Sequence, residues 1–115
     1  AFESDGISAY IDDGTDTATA FSAGTINDNA WHHVVVTASR TGNATIYIDG
    51  AVNGTPVSLA AIGDLDDAGT PLTIGDIGFE GQPFDGQIDD VRIYNKVLTS
   101  SEILQLYRLG QAIIR

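Results

Sequence analysis

The stretch Trp31-His32-His33-Val34-Val35-Val36-Thr37-Ala38-Ser39-Arg40-Thr41-Gly42-Asn43-Ala44-Thr45-Ile46-Tyr47-Ile48-Asp49-Gly50 decides the fold class. Two runs within it, residues 32–39 and 44–49, are rich in Val, Ile, Thr and Tyr, which suit a pleated surface. Thr41-Gly42-Asn43 separates them with turn formers. Asp49-Gly50 supplies the positive φ angles that a tight hairpin turn demands.

The same pattern continues on both sides. Residues 7–11, 17–22, 72–77 and 86–95 read as further strands. Asp12-Asp13-Gly14, Asn27-Asp28-Asn29 and residues 64–69 read as turns. One helix is expected late, over residues 100–109. Thr99-Ser100-Ser101-Glu102 is a capping box, with Thr99 as N-cap and Glu102 reaching back to its backbone N–H. Ile103, Leu106, Tyr107 and Leu109 form an apolar stripe at helical spacing, and Gly110 stands where a left-handed cap would end the helix. Ala112-Ile113-Ile114 reads as a tail or a final strand. At 115 residues the chain is one domain, all-β, with two antiparallel sheets and one short C-terminal helix.

Composition narrows the function classes. Sixteen acids stand against five Lys and Arg, a net charge of −11. Such a surface repels phosphate backbones and anionic lipid, so neither nucleic acid nor a charged membrane surface is an expected partner. No run of apolar residues reaches the length that spans a membrane. All but three of the acids are Asp, which suits hard cations such as Ca²⁺ and equally suits turns and solubility. Cys is absent, excluding disulfides and thiolate metal sites. Met is absent too, and we expect a processed product or a piece of something longer.

Three segments carry a family likeness. They are Trp31-His32-His33-Val34-Val35-Val36-Thr37, Ile46-Tyr47-Ile48-Asp49-Gly50, and Phe84-Asp85-Gly86-Gln87-Ile88-Asp89-Asp90-Val91-Arg92-Ile93-Tyr94-Asn95 followed by Leu98 and the capped helix. In this order they resemble the concanavalin A-like jelly roll, in particular its laminin-G-like and pentraxin-like members. The resemblance covers roughly residues 7 to 110. It implies a jelly-roll sandwich and a role in carbohydrate or protein recognition as part of a larger secreted protein. Family domains begin with further strands, which residues 1–115 would lack. Residues 1–115 would then be a C-terminal portion of such a domain, or a partner would supply the missing strands, and an unpaired sheet edge is a template for pairing or self-assembly.

Candidate site residues follow from these readings. In the strand expected at 86–95, Asp89 shares parity with Val91 and Ile93 and would face the core with them. A buried carboxylate must be paired or metal-bound. In β-glucanases of similar fold the matching Asp binds Ca²⁺, so the resemblance makes Asp89 a metal candidate. The alternative is a carboxylate held by backbone N–H groups or an Arg. Asp64, Asp66 and Asp67 form a second candidate loop for Ca²⁺. It is no EF-hand, because Ala68 and Gly75 stand where ligands are required. Tyr10, Phe79 and Phe84 border Gly-rich loops and are candidates for stacking on a sugar ring, or else belong to the core. Trp31 is expected as a core anchor. His32 and His33 would point to opposite faces and could not share a metal, and no acid or nucleophile is suggested beside them. Asn43-Ala44-Thr45 and Asn53-Gly54-Thr55 are glycosylation sequons in form.

Glycoside hydrolysis needs two converging carboxyl groups. The only Glu residues are Glu3, Glu80 and Glu102, and Glu102 serves the helix cap, so no enzyme activity is expected. The expected function is a non-catalytic carbohydrate- or glycoprotein-binding adhesion module, extracellular or at the cell surface. The alternative is a structural subunit or terminal domain of a surface filament, adhesin or viral appendage.

Overall fold

The computed structural model describes residues 6–24, 26–65, 72–75, 84 and 86–113. Its strands form two antiparallel sheets. β1 (Ser8–Asp12) and β2 (Thr17–Phe21) make the first, with Ser8 opposite Phe21 and Asp12 opposite Thr17. The second is built around β4 (Asn43–Ile48). On one edge it pairs with β3 (Val34–Ala38), Val34 opposite Ile48. On the other it pairs with β5 (Ala51–Val52) and β6 (Val57–Ser58), which take opposite ends of β4. The helix α1 (Ser100–Ile113) follows.

The core lies between the sheets because β2 and β4 alternate strictly. Ala18 and Ala20 of β2 are buried, as are Ala44, Ile46 and Ile48 of β4, while their neighbours are not. This is the two-residue period of a pleated strand. Leu59 and Ile62, just after β6, close one end of the core with Ala18 and Ala44. Ile7, Ala9 and Ile26 pack at the other end against Ala20, Ile46 and Ile48. The alanines leave room that the Ile and Leu side chains fill.

Turns hold this pairing in register. Asp49 and Gly50 have φ of 54° and 85° and join β4 to β5 as a two-residue hairpin turn, as their sequence requires. The Asp13 carboxylate accepts from Thr15 N at 2.8 Å, Asp16 N at 2.6 Å and Gly63 N at 2.5 Å. The first two shape the β1–β2 turn, and the third ties it to the segment after β6. Arg40 donates to the carbonyls of Ile62 and Gly63, bracing the same segment. Gly54, at φ 80°, presses against β2, where a Cβ would fall 2.1 Å from the Phe21 carbonyl oxygen. Only glycine fits there.

The capping box forms as read. Thr99 N donates to Glu102 Oε1 at 3.0 Å, and Glu102 N donates to Thr99 Oγ1 at 3.1 Å. The Thr99 backbone N–H, with Lys96 Nζ at 2.9 Å, holds the Glu102 carboxyl below its usual range. Ile103 is fully buried, whereas Leu109 is 54% exposed and leaves the expected stripe. The helix runs past Gly110 to Ile113, because Gly110 takes no left-handed conformation. The expected cap and the expected tail or strand at 112–114 are corrected accordingly as far as Ile113.

Neither sheet includes the residues described within 72–77 or 86–95, where strands were expected. In the second segment Asp90 adopts a left-handed φ of 56°. That conformation breaks the alternation of an extended strand. Ile88, Val91 and Ile93 are accordingly exposed, by 50% to 73%.

Ile46→Ala is expected to lower stability by about 2–5 kcal/mol in urea unfolding, since Ile46 is almost wholly buried in the core. Val36→Ala, directly opposite Ile46 on β3 but 44% exposed, is expected to cost about 1 kcal/mol or less.

Candidate functional site

The loop that leads into β3 is held by several hydrogen bonds to carboxylates. His32 lies between two acids. Its Nδ1 is 2.7 Å from Asp49 Oδ2, and its Nε2 is 2.8 Å from Asp28 Oδ1. Both ring nitrogens therefore face carboxylates, and the cation, with two N–H donors, satisfies both. The bond to Asp49 and then that to Asp28 raise the His32 pKa above the ordinary histidine value. His32 in turn, mainly by its hydrogen bond, lowers the Asp28 pKa.

Asp49 does more than complete this clamp. Its Oδ1 accepts from His33 N at 3.0 Å, and its own N donates to His33 O at 2.8 Å. Asp28 Oδ1 also accepts from Ala30 N at 3.2 Å. Residues 28–33 are thus fastened to the β4–β5 turn. The two histidines diverge, as alternation demands. His33 turns toward α1, its ring 6.1 Å from that of Tyr107, and burial pushes its pKa down. The sequence reading overlooked the acids around His32, because Asp28 and Asp49 approach it from two different turns.

Trp31 precedes this clamp and is 53% exposed. It is no core anchor, contrary to expectation. With the spacing around it held by His32 and His33, the indole stands beside an open cleft of about 390 Å³, lined by Trp31, Gln87, Ile88 and Asp89. Asp89 is exposed, and its Oδ1 accepts from Asp90 N at 2.8 Å. The core-facing parity expected for Asp89 fails because of the left-handed turn at Asp90. Arg92 grips Asp90 through two hydrogen bonds of 3.1 Å, Nε to Oδ1 and Nη2 to Oδ2.

The other expected site residues are dispersed. Phe84 is 45% exposed and adjoins Ile88, both side chains approaching Gly75. Tyr10 lies on β1, its hydroxyl 3.0 Å from Asp12 Oδ2. Asp64 is exposed after Gly63. Asp66, Asp67 and Phe79 lie outside the described residues. Among the described residues, no three His, Asp or Glu side chains are grouped so as to hold a metal ion. The two sequons differ. Asn43 is exposed at the start of β4, whereas Asn53 Oδ1 accepts from Ala23 N at 2.6 Å.

A sandwich with this hairpin and this capped helix matches a known family. Residues 1–104 match the profile described as the concanavalin A-like lectin/glucanases superfamily, of laminin G type, and the chain belongs to that superfamily. It is 36% identical over 87 residues to the adhesion G-protein coupled receptor V1 of Danio rerio, covering 75% of this chain and 1% of the receptor. It is 30% identical over 89 residues to the sushi, von Willebrand factor type A, EGF and pentraxin domain-containing protein 1 of Rattus norvegicus, covering 70% of this chain and 2% of that protein. A crystal structure of an S-layer domain-containing protein from Clostridium thermocellum superposes with a TM-score of 0.59 at 27% identity. The match covers 79% of this chain and 45% of that one.

The clamp has a defined pH signature. The raised His32 pKa contributes stability that is fully present below the ordinary histidine value and lost as pH rises through the folded-state value. The lowered Asp28 pKa adds stability that disappears only as pH falls below the ordinary carboxylate range. His33 works against His32, since its depressed pKa removes stability as pH falls below the ordinary histidine value. His32→Asn isolates the clamp. Thermal melts should show this variant several degrees less stable than wild type at pH 6, with the gap narrowing as pH rises through the raised folded-state value.

Proposed function

We propose that the chain is a non-catalytic recognition module, outside the cell or on its surface, whose ligand is a carbohydrate or a glycoprotein. One observation carries the reading. Most of the chain is similar, at 36% identity, to part of a protein named as an adhesion receptor, within a superfamily that includes lectins. The site supports it as well. An exposed indole beside an amide and a carboxylate suits binding through stacking and hydrogen bonds. Hydrolysis of a glycoside would need two free carboxyl groups. Of the neighbouring pair here, Asp90 is engaged by Arg92, and Asp89 alone lines the cleft.

A second reading is a subunit of a surface assembly. It is favoured by β3, which among the described residues is the outer strand of its sheet, with Val34 and Val36 38% and 44% exposed. An uncovered strand edge is a template for pairing with another chain. The similarity to an S-layer domain-containing protein points the same way.

A glycan array, read in Ca²⁺ and again in EDTA, separates these readings when joined to a mass measurement in solution. The recognition module is expected to stay monomeric and to bind a defined set of glycans. Signals that vanish in EDTA would assign Ca²⁺ a part in binding, and signals that persist would remove it. Concentration-dependent assembly with no glycan bound would favour the second reading over the first.

A further inference from the structure

We propose that the cleft between Trp31 and residues 87–89 is a binding site for a neutral pyranose sugar, with the indole of Trp31 as its platform. The inference rests on the recognition reading above and assigns it a place and a ligand class.

Three observations lead there. The first is the exposure of Trp31. An indole is the largest apolar side chain, and Trp31 is about half exposed. The C–H face of a pyranose ring covers such a surface and removes it from water, while the ring's hydroxyls stay at the rim. The second is rigidity. The loop carrying Trp31 is fixed by both nitrogens of His32 and by the backbone N–H of His33, each bonded to a carboxylate. Little ordering remains to be done when a ligand arrives, so more of the contact energy appears as affinity.

The third is the chemistry of the opposite wall. Ile88 extends the apolar floor, and Gln87 offers both donors and an acceptor. Asp89 uses Oδ1 for the Asp90 N–H, and its second oxygen accepts from a sugar hydroxyl. The cleft is shallow and open to solvent, so a sugar ring would lie against the indole rather than be enclosed. Charge then selects the class of sugar. Asp89 lines the cleft, and the chain carries a net charge of −11. Sulfated, sialylated and uronic-acid glycans are repelled, and neutral hexoses are not.

The chain holds a single Trp, so its fluorescence reports this one place. The experiment titrates the protein with neutral glucose-, galactose- and mannose-based oligosaccharides, and in parallel with heparin and sialyllactose. Saturable change in Trp31 emission with at least one neutral oligosaccharide is expected, with protection from acrylamide quenching and none of this with the acidic sugars. Trp31→Ala and Asp89→Asn, both exposed positions, should each weaken that binding by about tenfold or more when followed by calorimetry, while Trp31→Phe should retain part of it. Neutral-sugar binding by calorimetry that leaves Trp31 emission and both variants unaffected would overturn this site and leave the recognition reading intact. Binding of the acidic sugars at Trp31 would overturn the ligand class. A protein that binds no sugar in either assay would overturn this inference and the carbohydrate reading together.

Discussion

Asp49 is the residue on which the rest of the arrangement depends. Its backbone makes the left-handed step that reverses β4 into β5. Its amide and one carboxylate oxygen bond His33, just before β3, and the other oxygen bonds the His32 ring. Gly50, next along, comes so close to α1 that a Cβ would fall 2.9 Å from Leu104 and 3.0 Å from Tyr107. One two-residue turn therefore joins three parts: the central hairpin, the loop that presents Trp31, and the C-terminal helix. A side chain at Gly50 would crowd Leu104 and Tyr107 and strain the positive φ, and no neutral residue at 49 would complete the His32 clamp in the same way.

This arrangement divides the molecule by its physics. The sandwich is held by apolar burial between β2 and β4, which is non-directional and tolerates substitution of similar volume. The rim is held by charge-assisted hydrogen bonds from Asp13, Asp28, Asp49 and Glu102, each a short carboxylate reaching a backbone N–H. The abundance of Asp is thus partly structural. It shapes loops at the strand ends, which is where a sandwich can vary a binding surface without disturbing its core.

Several features were legible in the residues because their causes are local. The Asp49-Gly50 turn follows from the φ angles those residues tolerate, and the Thr99–Glu102 box follows from two side chains one turn apart. Strands β1 to β4 follow from alternating burial of small and β-branched residues. The two-residue strands β5 and β6 carry too few residues to show a period. The strand expected over 86–95 was misread for a different reason. Its sequence has strand composition, but the left-handed Asp90 and its fork with Arg92 interrupt the pleat. Parity arguments for Asp89 fail with it.

The amino-acid sequence by itself determined the class of fold, the superfamily, the capped helix and the central hairpin, since these rest on patterns within a few residues of one another. Only the tertiary structure decided the site. It placed Asp28 and Asp49 on opposite sides of His32, turned Trp31 outward, and brought residues 87–89 alongside it. Those contacts join residues from separate turns, up to 58 positions apart between Trp31 and Asp89 (89 − 31), and no local propensity encodes such a meeting. Burial of an indole or a carboxylate depends on what the remainder of the chain brings against it, and that is settled by packing.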